Sequence, residues 1–111
     1  TYDMDTADIA MEESQKLGIQ TFQGTYCWYP GPTYETPLEI TNFVELGGNL
    51  FGMSTVPEIL ASRAHGMRTV TISVITNLAA GITKQELDGN DVVAKAKEAG
   101  QYVEQLFLRL V

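Results

Sequence analysis

Four side chains in three separate segments could together bind a flat heterocycle that is joined to an anionic group. Glu35 offers a carboxylate that accepts hydrogen bonds from a ring N–H, and the amide of Asn77 both donates and accepts. Met53 offers a soft apolar surface suited to a sugar or a ring. Ser54 comes just before a predicted helix, whose free N–H groups and dipole favour an anion.

Each of these residues also has an ordinary structural interpretation. Glu35 could be a solvated carboxylate that favours the dipole of the next helix, and Met53 could be a core residue. Asn77 could cap its own turn, and Ser54 could belong to an unremarkable strand-to-helix connection. A binding site is favoured only if the four side chains lie close together in the fold. The helices and strands that position them therefore decide between a binding role and a structural role.

Composition limits the kinds of partner. The chain has 111 residues with 44% hydrophobic residues, which predicts one globular domain at most. Its net charge of -7, from 14 acidic and 7 basic residues, argues against nucleic acid and against a membrane surface as partners. Cys27 is the single cysteine, which excludes an internal disulfide and predicts a reducing, cytoplasmic location. We find no signal peptide and no apolar run of membrane-spanning length.

Capping and periodicity predict four helices. The first is capped by Asp5 or Thr6, buries Ile9 and Ala10, and ends at Gly18. The next two each begin with a capping box, in which a threonine is followed three residues later by a glutamate. These boxes are Thr36 with Glu39, and Thr55 with Glu58. The last helix covers residues 90–110 and is expected to bury Val93, Ala96, Val103, Leu106 and Leu110.

Three strands are predicted between these helices. They cover residues 24–29, 49–53 and 68–76, and the third alternates Val70, Ile72 and Val74 with polar residues. Alternating helices and strands predict an α/β fold with a mostly parallel sheet, in which ligands bind at the carboxyl ends of strands. Segments 30–36, 53–55 and 77–81 should therefore converge on one edge, with the four candidate side chains.

Four motifs then support a resemblance to a known family. They are Gly24-Thr25-Tyr26, Gly31-Pro32-Thr33-Tyr34-Glu35-Thr36, Gly52-Met53-Ser54-Thr55-Val56-Pro57-Glu58 and Ile75-Thr76-Asn77-Leu78-Ala79-Ala80-Gly81. In order and spacing they resemble the trimeric, 6-oxopurine-preferring branch of the purine nucleoside phosphorylases, and Tyr2-Asp3 also matches. The resemblance implies a phosphorylase/hydrolase-like, three-layer α/β/α fold with a mostly parallel mixed sheet. Residues 1–111 would be the C-terminal part of that single domain.

The resemblance also implies an activity and roles for residues. Phosphate would cleave inosine, guanosine or xanthosine to the free base and ribose 1-phosphate, with no metal and no cofactor other than phosphate as co-substrate. Glu35 and Asn77 would hold the purine in catalysis, and Met53 would pack on the ribose. Tyr26 and Tyr34 would line the base and sugar pocket, and Ser54 would contact phosphate. A cytoplasmic homotrimer is implied, with a purine nucleoside and phosphate as its ligands.

The match has informative gaps. The N-terminal part of the family is missing, with its glycine-rich phosphate loop and its phosphate-binding arginine and histidine, so we expect this chain to need that part of the enzyme. His65, the single histidine, is expected at a helix end without a catalytic role. Two alternatives stay open: an inactive or binding-only fragment, and an enzyme like the methylthioadenosine phosphorylases. Asn77 and Ser54 argue against the second, because those relatives carry Asp and Thr there.

Overall fold

A computed structural model of the chain describes residues 3–84 and 88–111. Within these two ranges the elements follow the predicted order, except that the third strand is not formed. They are α1 (Met4–Lys16), β1 (Tyr26–Trp28), α2 (Pro37–Glu45), β2 (Leu50–Gly52), α3 (Val56–Ala64) and α4 (Gly89–Leu110). The observed N-caps of α1, α2 and α3 agree with the sequence to different degrees.

Helix α1 is capped two or three residues earlier than predicted. Asp3 has extended backbone and accepts hydrogen bonds from Thr6, at 3.4 Å from its amide nitrogen and at 2.9 Å from its hydroxyl. Asp5 and Thr6, the predicted caps, therefore lie inside the first turn, because a cap must accept from an amide two or three residues ahead. These bonds, chiefly that from the Thr6 hydroxyl, lower the pKa of Asp3. Gly18, with a φ of 70°, ends the helix as expected.

Helix α2 has the capping box predicted for it. The amide of Thr36 donates to Glu39 at 2.7 Å, and the amide of Glu39 donates back to the Thr36 hydroxyl at 3.3 Å. Pro37 fills the first helical position, where its missing N–H costs nothing. The start of α2 is therefore satisfied by its own side chains.

The capping box predicted for α3 does not form. Thr55 has a φ of 83° and makes no side-chain hydrogen bond to the helix. Its hydroxyl lies 3.2 Å from that of Ser54, because left-handed backbone directs the side chain away from the amides it would cap. Helix α3 otherwise covers the predicted residues and ends at His65, whose exposed ring bonds to the Ala61 carbonyl at 2.8 Å. The helix-end position expected for His65 is confirmed.

The sheet consists of β1 and β2 in the described ranges. The two strands are parallel, as predicted, with Tyr26 opposite Leu50 and Trp28 opposite Gly52. Helix α2 connects them and packs on β2, since Phe43 stacks on Phe51 with ring centroids 5.8 Å apart. The pair forms the parallel β–α–β unit that the alternation of elements favours.

The prediction that residues 68–76 form a third strand of the sheet is wrong. Segment 68–76 forms neither helix nor ladder, and its one backbone hydrogen bond to a described residue joins the Asp3 amide to the Thr69 carbonyl at 3.2 Å. Its alternation of apolar and polar residues specifies a strand pattern, but a strand also needs a neighbour with which to pair.

The core is small and lies where α1 packs on α4. Ala10 of α1 and Leu106 of α4 are its buried hydrophobic residues, and the buried Ser14 hydroxyl donates to the Met11 carbonyl at 2.7 Å. Ile40 of α2 is buried as well. Several residues predicted to be buried are exposed, among them Ile9 at 51% and Val93 at 54%. Ala96 is exposed too. Much of the apolar surface of α4 thus has nothing packed against it within residues 3–84 and 88–111. No helix in these ranges is both long and apolar enough to cross a bilayer.

Candidate functional site

The carboxyl ends of β1 and β2 bring two of the three predicted segments together. The amide of Tyr29 donates to the carbonyl of Gly52 at 3.0 Å, which continues the pairing one step beyond β1. Segments 30–36 and 53–55 therefore leave the sheet side by side, as the geometry of parallel strands requires.

Met53 contacts the last residue of β1 and a glycine of the first segment. The Trp28 indole donates to the carbonyl of Met53 at 3.2 Å. Gly31 has a φ of +74°, and a Cβ on it would lie 2.7 Å from the Met53 sulfur, so a larger residue would strain the backbone and displace the thioether. On the two strands, the Tyr26 hydroxyl is so close to Gly52 that a side chain at Gly52 would collide with it. Met53 is 41% exposed, with its thioether beside Gly31.

Glu35 carries a buried oxygen that has no partner. Its Oε1 makes no hydrogen bond to any residue that the structure describes. The neighbouring carboxylates raise the pKa of Tyr29, first through a hydrogen bond to Glu39 and less through the charge of Glu35. A buried acceptor left without a donor costs free energy, so such an atom in a folded protein needs an explanation. A ligand N–H aimed at Glu35 would supply one. Tyr34, the residue before it, is 47% exposed at the same edge.

The third segment reaches the same region by another contact. Gly81 packs so closely on Pro37 that a Cβ on Gly81 would lie 2.8 Å from the proline Cβ. Loop 77–81 therefore lies against the start of α2. The residue that it contacts there, Pro37, is two positions after Glu35. Asn77 itself bonds to its neighbours: its amide nitrogen donates to the Leu78 carbonyl at 2.9 Å, and its oxygen accepts from the Thr76 hydroxyl at 2.6 Å. The ordinary interpretation, in which Asn77 caps its own turn, holds in this conformation.

Ser54 lies on a different side of the edge. A cavity of about 590 Å³ adjoins the first turn of α3. Its polar lining consists of Ser54, Thr55, Glu58, Ser62, Arg68, Thr69 and Thr71. Since Thr55 does not cap α3, the amide of Glu58 keeps its capacity to bind an anion. The other two positions of the first turn offer none, because the Val56 amide donates to the Ser54 carbonyl at 3.0 Å and Pro57 has no N–H. Arg68 would favour such an anion and Glu58 would oppose it, while Arg68 already lies 3.3 Å from the Asp3 carboxylate.

Two features of the site were missed by the sequence analysis. The left-handed backbone of Thr55 had no signal, because a threonine avoids that region and a Thr–x–x–Glu pattern favours a cap. The bond from Trp28 to Met53 had a weak signal, since an indole placed directly before the end of a strand needs an acceptor.

The arrangement offers groups for a flat ligand and for an anion. Glu35 offers an acceptor, Tyr26 and Met53 offer ring and thioether surfaces, and the first turn of α3 offers the Glu58 amide. In the described ranges no group of three or more His, Cys, Asp or Glu side chains is placed to bind a metal ion.

Comparison with known proteins shows which family and which enzymes this chain is similar to. The family model described as the Phosphorylase superfamily matches residues 1–111. Purine nucleoside phosphorylase 1 of Bacillus subtilis is 39% identical over 110 residues, which cover 99% of this chain and 39% of that protein. The chain thus spans about two fifths of the length of such relatives.

Two solved structures have the same fold. The purine nucleoside phosphorylase of Schistosoma in complex with hypoxanthine superposes with a TM-score of 0.92 at 27% identity, covering 98% of this chain and 40% of that one. The Schistosoma mansoni enzyme in complex with adenosine gives a TM-score of 0.91 at 27% identity over the same shares of both chains. The α/β fold predicted from the sequence is confirmed.

Proposed function

This chain belongs to the phosphorylase superfamily, and from that premise we propose that it carries the purine and ribose side of a purine nucleoside phosphorylase site. Helix α3 and Ser54 would supply part of the phosphate site. The rest of the enzyme would supply the remaining phosphate ligands, because the chain spans only about two fifths of its relatives' length.

The reaction transfers a ribosyl group from a purine to phosphate. A phosphate oxygen bonds to the anomeric carbon, the bond from that carbon to the purine nitrogen breaks, and its electron pair stays with the purine. The ribosyl group has oxocarbenium character in the transition state, so catalysis requires stabilisation of the negative charge that arrives on the base. Donors and a fixed acceptor at the base edge are the groups that this chain can supply.

The observation that carries the proposal is the buried, unpartnered Oε1 of Glu35 at the carboxyl edge of the sheet. A purine ring N–H would donate to it, and Tyr26 and Tyr34 would flank the base and sugar. Met53 would pack on the ribose through its thioether, since its carbonyl already accepts from Trp28. Asn77 would exchange its two bonds to neighbouring residues for bonds to the purine as charge develops there.

We propose 6-oxopurine nucleosides, namely inosine, guanosine and xanthosine, as substrates. The amide of Asn77 can donate to a 6-oxo group, whereas the aspartate that the related methylthioadenosine enzymes carry would accept from a 6-amino group. Hypoxanthine in the Schistosoma neighbour agrees with this preference. Adenosine in the Schistosoma mansoni neighbour makes that nucleoside a necessary competitor in any test.

The whole enzyme is proposed to be a cytoplasmic homotrimer that uses phosphate as co-substrate and no metal. The 111-residue chain by itself should not turn over substrate, since the glycine-rich loop and the basic phosphate ligands of the family are not among its motifs. A binding-only role is the second candidate, and the same feature favours it.

The test uses the chain with and without a companion polypeptide. The companion is the part of the Bacillus subtilis enzyme that lies outside the match, coexpressed from the same cell. We expect phosphate-dependent release of hypoxanthine from inosine by the pair and none by either polypeptide alone. Adenosine and methylthioadenosine should react more slowly than inosine.

Three results would contradict the proposal in different ways. Turnover by the single chain would overturn its incompleteness. Binding of hypoxanthine by an inactive pair would favour the binding-only role. A preference for adenosine would overturn the role given to Asn77.

A further inference from the structure

Trp28 is the last residue of β1 and the single tryptophan of the chain. Its indole nitrogen donates to the carbonyl of Met53 at 3.2 Å, so the bond reaches from the end of β1 to the residue after β2. Trp28 is 40% exposed, and an indole with this exposure could donate to water instead. The bond therefore matters chiefly for what it does to the carbonyl.

Two successive carbonyls at the end of β2 are bonded to residues at the end of β1. The Gly52 carbonyl accepts from the Tyr29 amide at 3.0 Å, in continuation of the sheet. The next carbonyl, that of Met53, accepts from the side chain of Trp28. A side chain thus extends by one residue the hold that the sheet has on this backbone.

The following carbonyl, that of Ser54, is held by a tight turn. The Val56 amide donates to it at 3.0 Å across Thr55, whose φ of 83° and ψ of −53° are those of the rare, strained form of the γ-turn. Such backbone persists only where the surrounding structure holds it. The peptide groups before and after Ser54 are therefore both fixed, one by Trp28 and the other by this turn.

The bond from Trp28 also sets the direction of a backbone donor. The Met53 carbonyl and the Ser54 N–H belong to one planar peptide group, which is not cis, so they point to opposite sides. The N–H of Ser54 therefore faces away from the indole. It donates to no backbone carbonyl in the described ranges. Ser54 lines the cavity beside α3, and Trp28 does not.

We propose that Trp28 is a positioning residue for phosphate binding. Its indole N–H holds the Met53–Ser54 peptide group so that the amide and hydroxyl of Ser54 meet phosphate at the start of α3. Donors that are fixed in their binding direction lose less freedom when the ligand binds. Trp28 itself contacts neither phosphate nor nucleoside. The inference rests on the proposed function, because it requires Ser54 to contact phosphate.

Kinetics of the complemented enzyme test the effect on phosphate. Trp28→Phe keeps an aromatic ring and removes the donor, so the KM for phosphate should rise about tenfold, while kcat and the KM for inosine change less than about twofold. A residue that only supported the fold would lower the fraction of active enzyme, and hence the apparent kcat, without raising this KM.

The matched control removes a donor from another partly exposed ring. Tyr102 lies on α4, is 47% exposed and does not line the cavity beside α3. Tyr102→Phe should leave both KM values unchanged.

Amino-acid analogues separate the donor from the ring. Because the chain has one tryptophan, expression in a tryptophan auxotroph replaces Trp28 alone. Benzothienylalanine has a sulfur in place of the indole N–H and nearly the same shape, so it should raise the KM for phosphate as Trp28→Phe does. A fluorotryptophan keeps the N–H and should retain the original KM. Each chain is purified and then mixed with the companion part of the Bacillus subtilis enzyme.

The hydrogen bond itself can be observed without turnover. With only this chain isotope-labelled, the pair gives one indole N–H resonance in NMR spectra. Exchange of that proton with solvent should be about tenfold or more slower than in a free indole. Exchange at the rate of a free indole would overturn the proposal.

The remaining outcomes separate this inference from the proposed function. If the pair cleaves inosine and Trp28→Phe leaves the KM for phosphate unchanged, the inference fails and the proposed function stands. A rise in the KM for inosine alone would make Trp28 a contact of the nucleoside and would also overturn the inference. If the unsubstituted pair neither cleaves inosine nor binds phosphate, the proposed function fails and the inference fails with it.

Discussion

Helices α2 and α3 begin with nearly the same sequence pattern and end up with opposite properties. Each has a threonine followed three residues later by a glutamate, with a proline in the first turn. At α2 the extended Thr36, with φ of −77°, closes the capping box, whereas at α3 Thr55, with φ of 83°, leaves it open. The closed box satisfies the amide of Glu39, and the open one leaves the amide of Glu58 for a ligand.

The residues just before the two threonines match this difference. Glu35 precedes the closed helix start and offers an acceptor, which suits the N–H of a purine. Ser54 precedes the open helix start and adds no charge, which suits an anion. The comparison predicts that phosphate binds at the α3 start, where the protein's own side chains leave the Glu58 amide unoccupied, and not at the α2 start. It also explains why two similar turns are assigned to the two ends of a nucleoside–phosphate site.

The largest effect on kinetics is expected from placing a negative charge at the uncapped start of α3. Ser54→Asp places a carboxylate where phosphate would bind, and repulsion should lower kcat/KM for phosphate by about a hundredfold in the complemented enzyme, or about 2.7 kcal/mol. Asn42→Asp adds the same charge to exposed α2 and should leave kinetics unchanged. If both variants responded alike, net charge and not the α3 start would be the cause.

The next effect concerns the acceptor at the closed helix start. Glu35→Gln replaces a carboxylate with an amide and should weaken hypoxanthine binding about tenfold, since charged hydrogen bonds contribute about 1.5–3 kcal/mol. Phosphate affinity should not change. The matched control, Glu45→Gln, alters an exposed carboxylate at the other end of α2. Calorimetric titration of the complemented enzyme measures both, and an equal loss in the control would remove Glu35 from the site.

A smaller effect should separate the two threonines by stability. Thr36→Ala removes a formed cap and should destabilise the chain by about 1 kcal/mol, whereas Thr55→Ala removes no cap and should cost less than about half of that. Urea unfolding followed by circular dichroism gives both values. Equal losses would mean that Thr55 caps α3 in solution, and the contrast between the two helix starts would fail.

The smallest effect is a pH dependence of stability that the capping box of α2 contributes. The Thr36 amide and hydroxyl lower the pKa of Glu39 from its ordinary value of 4.5. A lowered pKa in the folded state gives stability that is complete above the unfolded value and is lost as pH falls through the folded one. Glu39→Gln can still cap but cannot titrate, so it should lose less stability than wild type between about pH 5 and about pH 3. Glu58→Gln should follow wild type.

Sequence reasoning predicted the parts of the fold that depend on neighbouring residues. The capping box at Thr36 and the helix end at Gly18 follow from residue types a few positions apart. The order of the elements follows from local patterns too, and it leads to the parallel pairing of residues 24–29 with 49–53. The capping box predicted at Thr55 was wrong, because the strand end and the loop around Thr55 set its backbone conformation. Local sequence preferences do not predict that conformation. The predicted cap of α1 was wrong by two or three residues, because Asp3, Asp5 and Thr6 are all residue types that cap helices well.

What could not be predicted depended on contacts with segments far away in the chain. Segment 68–76 and Val93 both show patterns of burial, yet within residues 3–84 and 88–111 the segment pairs with no strand and Val93 is 54% exposed. The roles of Glu35 and Ser54 could be suggested but not tested by sequence, because a binding role depends on which groups remain unsatisfied after folding. Tyr2, which the sequence analysis matched to the family, and residues 85–87 lie outside the described residues.

A crystal structure of the complemented enzyme with hypoxanthine would test the central claim most directly. We expect Oε1 of Glu35 about 2.9 Å from a ring nitrogen of the base, the usual length of such a bond. The ring of Tyr26 or Tyr34 should contact the same base, and the α3 start should remain uncapped. Hypoxanthine bound elsewhere, with Oε1 of Glu35 still unpartnered, would contradict the account.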